Sequence, residues 1–391
     1  MMLKNQAWCS SFNPPSWVDR IVVKALGNLL SGKSKGIGVE LAPDRINVAQ
    51  LRKQGQGLKL TTLASTPVPE GLFQEGQIID PPGMAELLQA LLAEHKIKTK
   101  QVTSAVMGGR DTVTRIIPVP AELDDAELRE MVLNQEAGLY LPFPREEADV
   151  DYQKLGLFVD EDGIEKFRVL LVATKKEVTD AYIRTFEAAG LRLNVLEIAS
   201  FSLIRTIREQ LRQFSPQEAV ALVDIEFEST EISIAVDGVP EFTRAVPIGT
   251  YQIQSALSRA MNMPPSRSTE LLLGMTIPIM PTDTIGSTSK MGGTNPGSAA
   301  MLRIIGELAD ELRRSIDFYL NQGDQLEVAQ LLLAGPGAAI GHLDEFFTQR
   351  LSLPCSQVDP VTSLGLEVSD EITPTQRPGL SVVLGLGLRE A

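Results

Sequence analysis

The sequence predicts a mixed α/β protein of two domains, and three observations carry that expectation. At 391 residues the chain is too long for one simple core. Runs of period-2 alternation recur between helical stretches, so strands and helices are interleaved along the chain. The clearest run, Glu218 to Thr250, reads as a three-stranded antiparallel meander. Ala219–Ile225 is an apolar strand, Glu231–Val236 alternates, and Asp237-Gly238 is a two-residue turn that tolerates positive φ at both positions. A third strand carries Phe242 and Val246 and closes at Gly249.

Taken from the start, Pro14-Pro15 break the chain and Ser16 can cap a helix. Val18, Ile21, Val22, Ala25, Leu26, Leu29 and Leu30 then fall on one face. This slightly basic segment within 1–35 reads either as a docking helix for a membrane or partner, or as a stripe packed on its own domain. Ile37–Leu41 and Ile46–Arg52 are strands about a turn at Ala42-Pro43-Asp44, and Leu58–Thr66 is a third. Pro81-Pro82 open a helix whose apolar face ends at His95, a structural histidine because no Cys or second His shares the segment.

Strands are expected over Val102–Met107, Val113–Val119, Val150–Leu157 and Phe167–Ala173, with helices over Leu123–Gly138 and Lys175–Ala189. Between them, Leu141-Pro142-Phe143-Pro144 holds the backbone extended, since each proline fixes its own φ and biases its predecessor away from helix. Helices follow from about Ser202 to Gln213 and over Tyr251–Asn262. Met275 to Ala300, dense in Gly, Pro, Ser and Thr, is expected to be a mobile loop. Met301–Asn321 is amphipathic, Leu331–Leu333 is a buried strand opening on Gly335-Pro336-Gly337, and Leu380–Arg389 is a last helix.

Composition excludes several functions. A net charge of −14 argues against nucleic acid, whose phosphates demand a basic face. Two cysteines, Cys9 and Cys355, lie outside any CxxC and fit a reducing compartment. No apolar run reaches the roughly 18–20 residues needed to span a bilayer, and the N-terminus lacks the apolar segment of a signal peptide. The expectation is a cytoplasmic protein. Two isolated histidines build no metal site, and GxSxG, HExxH and Walker A patterns are absent.

Six stretches together carry a resemblance. GVELAPDRINVAQL (Gly38–Leu51), NQEAGLYLPFPREEADVDY (Asn134–Tyr152), the Glu218–Thr250 meander, ELRRSIDFY (Glu311–Tyr319), LLLAGPGAAIGHLDEFF (Leu331–Phe347) and LGLGLR (Leu384–Arg389) resemble, in the same order, motifs of the PilM family of type IV pilus assembly. The resemblance implies an actin-like (ribonuclease H-like) two-domain fold with an inserted α+β subdomain. Subdomain 1A is expected over 36–103, 191–217 and 364–391, and the insertion 1C over 104–190. Subdomain 2A is expected over 218–255 and 301–363, and 2B over 256–300.

It further implies a cleft that takes ATP and magnesium. Glu40 and Ala42 lie in the first phosphate loop, and Asp224, as metal holder, and Ser229 in the second. Gly249 closes the third strand, and Gly335 and Gly337 admit adenine and ribose. Three departures weaken the cradle. Ala42 and Pro43 stand where backbone freedom and an N–H are wanted, Asn47 replaces a Lys, and Glu226 replaces a Gly. A carboxylate at 226 facing a triphosphate costs about 1–3 kcal/mol. ATP binding is therefore expected to be weak or absent and hydrolysis negligible.

As partners the resemblance implies the N-terminal cytoplasmic peptide of PilN, held in a groove near Tyr140, Leu141, Pro142 and Phe143, together with pilus platform and motor proteins. It also implies a peripheral place on the inner face of the inner membrane, and self-association as a further possibility. The alternative is an active, filament-forming ATPase like FtsA. The cleft is expected to be bordered by Gly38–Asp44, Asp224–Ser229 and Gly335–Gly337.

Overall fold

The computed structural model describes residues 36–389 apart from 56, 110, 265, 278–294, 323–325 and 370–371. The expected N-terminal helix within 1–35, and most of the expected loop between Met275 and Ala300, lie outside the described residues.

The first sheet starts as a meander, β1 (Ile37–Leu41), β2 (Arg45–Gln54) and β3 (Gly57–Pro67), paired antiparallel in turn. A small hairpin, β4 (Phe73–Gln74) and β5 (Gln77–Ile78), leads to α1 (Pro81–Glu94). Asp80 caps α1 by accepting from the Gly83 amide, and the two prolines occupy first-turn positions, where an N–H has no intrahelical acceptor. β6 (Gln101–Val106) then pairs parallel to β1.

The inserted subdomain is β7 (Thr112–Pro120), α2 (Asp125–Glu130), a π-helical turn at Met131–Glu136, α3 (Ala137–Tyr140), β8 (Ala148–Val159) and β9 (Glu165–Lys175). Its sheet has the order β7-β9-β8, and Ile117, Val119, Leu128, Val132, Val169 and Leu171 form its own small core. Asp124 and Glu127 close a capping box at the start of α2. The expected regular helix over Leu123–Gly138 is thus interrupted by π geometry. The Arg145 guanidinium donates to the Leu133 carbonyl (2.5 Å) and the Ala148 carbonyl (3.0 Å), so a side chain enters the ladder there.

The insertion is also narrower than 104–190. β6 belongs to the first sheet, and α4 (Lys176–Ala188) buries Val178, Ala181, Tyr182 and Phe186 in the first domain's core. β10 (Arg192–Ile198) pairs parallel to β6 and completes the sheet in the order β10-β6-β1-β2-β3. The single helix expected from Ser202 to Gln213 is two, α5 (Ala199–Thr206) and α6 (Arg208–Leu211), separated at Ile207, where φ is −103° and ψ 15°.

The second sheet repeats the plan. β11 (Ala219–Ile225), β12 (Thr230–Val236) and β13 (Val239–Val246) form the expected meander, with Asp237 and Gly238 both at positive φ. α7 (Thr250–Ala260), α8 (Glu270–Leu273) and α9 (Pro296–Leu320) follow. Asn295 caps α9 through the Gly297 amide, so the helix starts five residues before the expected Met301. β14 (Val328–Ala334) pairs parallel to β11. α10 (Leu343–Leu351), β15 (Cys355–Gln357), α11 (Pro360–Ser363) and α12 (Ser381–Arg389) end the chain, and the strand order is β13-β12-β11-β14-β15.

α12 returns to the first domain and packs on β1, β2 and α5. A Cβ at Gly385 would overlap the Ser202 backbone, so glycine is what lets the helix approach so closely. Among the described residues, no helix is long and apolar enough to cross a membrane.

Candidate functional site

The turns after β1 and β11 face one another between the two sheets, and side chains join them. Arg45, the first residue of β2, places Nη2 2.7 Å from Glu40 Oε1 in its own hairpin. The same nitrogen lies 2.9 and 2.7 Å from the two carboxylate oxygens of Glu226 in the other hairpin. Its Nη1 lies 3.1 Å from Asp44. Asn47, two residues on and therefore on the same face of the strand, donates to Glu40 Oε2 at 3.1 Å. Glu40 and Glu226 are buried and Arg45 nearly so.

Arg267, between α7 and α8, donates to the Pro43 carbonyl at 2.8 Å while its guanidinium lies 4.8 Å from the Phe227 ring centre. On the other flank, Glu231 of β12 accepts from the Gly108 amide just beyond β6, at 2.8 Å. Arg45, Phe227 and Arg267 were not singled out by sequence reasoning. The available signal was Arg45 on the same strand face as Asn47, a cation beside the position that lacks its Lys.

The electrostatics follow from burial. Burial pushes the Glu226 carboxyl well above its ordinary range, and Arg45 pulls against that shift. For Arg45 itself, burial lowers the pKa, and Glu226, Glu40 and Asp44 together outweigh it and hold the cation charged. Asp224 is pushed up to about 7, first by burial and then by the charges of Glu231 and Glu40. It is 4% exposed, and its Oδ1 has no hydrogen-bond partner among the described residues. Gly335, at φ 77°, lies against it, and a Cβ there would sit 2.6 Å from Asp224 Oδ1.

The structure therefore brings Glu40, Asp224, Glu226 and Gly335 together and presents the remaining expected residues differently. The Ala42 amide donates to the Arg45 carbonyl (2.9 Å), and the Glu226 amide to the Ser229 carbonyl (3.0 Å). The Gly335 amide donates to the Pro378 carbonyl (3.1 Å). At the start of α7, next to Gly249, the amides of Thr250 and Tyr251 donate to the carbonyls of Glu226 and Phe227, each at 2.9 Å. Gly337 packs on the Ile225 side chain. Glu226 does not face the cleft unopposed, as its position in the sequence implies, because Arg45 meets it.

Magnesium–ATP fits this arrangement in one respect only. The unpartnered Asp224 oxygen suits a hydrated cation, but a triphosphate needs unoccupied backbone donors. Five amides around the two hairpins and the Gly335 turn are already bonded within the protein. The described side chains also present no group of three or more His, Cys, Asp or Glu able to hold a metal ion by themselves.

Two cavities lie beside this junction. One, of about 560 Å³, is lined by Arg45, Asn47, the β3 edge from Leu60 to Ser65, Pro336, Ala339 and the segment around Ile372 to Leu380. The other, of about 550 Å³, is lined by Gly76, Met107, Asp111, Ser229 and Tyr251, where the first domain, the insertion and the second domain meet. Tyr140, Leu141, Pro142 and Phe143 line neither. Leu139 is 76% and Tyr140 37% exposed, while Leu141 and Phe143 are half-buried. The Lys175 ammonium lies 5.9 Å from the Phe143 ring centre and 2.8 Å from Asp111, and so connects this segment to the wall of the second cavity.

The family model described as type IV pilus assembly protein PilM matches residues 38–271 and 301–391. The fold is similar to a solved PilM-PilN type IV pilus biogenesis complex, with a TM-score of 0.76 at 24% identity, over 92% of this chain and 99% of that one. It is also similar to the ethanolamine utilization protein EutJ from Carboxydothermus hydrogenoformans, with a TM-score of 0.50 at 14% identity, over 92% of this chain and 91% of that one. With two sheets of matching order, facing hairpins and an inserted subdomain, the chain has the actin-like fold and belongs to the PilM family of type IV pilus assembly proteins.

Proposed function

We propose that the protein is a scaffold of the type IV pilus machine on the cytoplasmic face of the inner membrane. It binds the N-terminal cytoplasmic peptide of a PilN-type membrane protein and links platform to motor, with little or no ATP turnover. The observation that carries this reading is that the amides of Ala42, Glu226, Gly335, Thr250 and Tyr251 are bonded within the protein, since a working phosphate cradle keeps its donors free. The runner-up, an ATP-hydrolysing protein, is favoured by one observation, the unpartnered oxygen of Asp224 beside Gly335.

For the partner, the segment from Leu139 to Phe143 offers exposed apolar side chains beside an extended backbone, which suits a bound extended peptide. The full chain should bind a PilN-type N-terminal peptide in isothermal titration. Phe143→Ala should weaken that binding about tenfold, and the cation–π contact with Lys175 that it also removes is worth about 0.5–1 kcal/mol. Unchanged binding would move the peptide site elsewhere, and no binding by the wild type would remove the partner. Steady ATP turnover by the purified wild type would replace the scaffold with the ATPase.

A further inference from the structure

We infer that the Arg45–Glu226 contact is an autoinhibitory latch. Arg45 is a cation able to serve a phosphoryl group, Glu226 of the opposite domain holds it, and an anion enters the cleft only by displacing that carboxylate. The inference rests on reading this junction as a nucleotide cleft of low affinity, and it adds which contact keeps the affinity low.

The geometry carries it. Arg45 and Asn47 share one face of β2, and both reach Glu40, Arg45 at one carboxylate oxygen and Asn47 at the other. Asn47 is thereby spent on orienting Glu40, and Arg45 is the cation on that face, met by Glu40 and Asp44 of its own hairpin as well as by Glu226. Its Nη2 meets both oxygens of Glu226 at 2.7 and 2.9 Å, across 181 positions of sequence and from one sheet's hairpin to the other's. Nη2 alone makes these contacts, with Glu40 Oε1 as a third acceptor, and a guanidinium N–H serves a phosphoryl oxygen as readily as a carboxylate oxygen. A phosphoryl oxygen arriving at Arg45 thus competes with Glu226 for the same N–H groups.

A second tie lies beside the latch. Arg267 holds the Pro43 carbonyl while stacked on Phe227, which is fully buried in the second hairpin. Opening the latch therefore shifts both hairpins relative to one another, and phosphoryl binding and domain separation are linked. A simple like-charge account, in which Glu226 merely repels phosphate, makes Arg45 irrelevant. The latch makes it the residue on which any gain depends.

The test uses the full chain and two probes, magnesium–ATP and magnesium pyrophosphate, titrated against the wild type, Glu226→Gln, Glu226→Ala, Arg45→Ala and the Arg45→Ala/Glu226→Gln double variant. Circular dichroism and melting temperature check folding. The latch predicts that both Glu226 variants bind ATP at least about tenfold more tightly than the wild type. It predicts that the double variant loses that gain. Pyrophosphate should share the gain if the phosphoryl group is what Arg45 takes, and a gain confined to ATP would assign the effect to the nucleoside and overturn the proposal. Folded Glu226 variants that bind no better, or a double variant that keeps the gain, also overturn it. These outcomes are independent of turnover and of peptide binding, which decide the scaffold reading.

Discussion

The two meanders make an instructive pair. β1-β2-β3 and β11-β12-β13 have the same connectivity, and each is extended on the side of its first strand by parallel strands, β6 and β10 in one sheet and β14 and β15 in the other. Their hairpins nonetheless carry different chemistry toward the junction. The first supplies a guanidinium from the start of its second strand together with the carboxylates of Glu40 and Asp44. The second supplies carboxylates from the end of its first strand and the turn after it, Asp224 and Glu226. Both turns hold four residues between paired strand ends and are closed alike, by the Ala42 amide on the Arg45 carbonyl and by the Glu226 amide on the Ser229 carbonyl, and the second is in addition plugged by Phe227. Repeated topology fixes where two loops meet, and side-chain charge decides whether the meeting place is open or sealed.

The largest effect should come from breaking that complementarity. Arg45→Ala leaves Glu40 and Glu226 buried without their shared cation, and removal of one partner from a buried ion pair costs about 3–5 kcal/mol. Chemical denaturation measures it, and a loss under about 1 kcal/mol would mean that the hairpins are held together mainly by other contacts.

A smaller effect tests the asymmetry on the second sheet's side. Gly335→Ala forces a side chain into positive φ and against Asp224, which should destabilise by about 1–3 kcal/mol. A neutral result in the same denaturation assay would show that the turn after β14 relaxes freely. A third effect, read as a slope and not as a single loss, is a pH dependence. The folded pKa of Asp224 is raised from 3.8 to about 7, so its contribution to stability is full below about pH 4 and declines as pH rises toward 7. Wild type should therefore lose more stability than Asp224→Asn between about pH 5 and pH 7, on the order of 1 kcal/mol per unit at the steepest. Parallel pH profiles for the two proteins would refute the assignment.

Much of the fold was legible before any coordinates. Alternation in Glu231–Val236 and the Asp237-Gly238 turn specify a hairpin locally, because side-chain period and positive-φ tolerance are properties of neighbouring residues. The prolines at 81 and 82 likewise announce the start of α1. Periodicity says which face of an element is buried but not what lies against it. For that reason the sequence places α4 in the insertion, although its apolar face packs in the first domain's core. The π turn after α2 depends on Arg145 reaching back to the Leu133 carbonyl, a contact that no helical pattern encodes.

The same division runs through the site. The resemblance of their motifs to those of the PilM family marks Glu40, Asp224, Glu226 and Gly335 as residues of one junction. Only the tertiary structure decided that Glu226 faces Arg45, that Asn47 is committed to Glu40, and that the Thr250 and Tyr251 amides are bonded to the carbonyls of Glu226 and Phe227. Local pattern fixes backbone conformation through interactions a few residues long. The partner of a buried charge is chosen by the cost of desolvating it, and that cost exists only once the two sheets have come together.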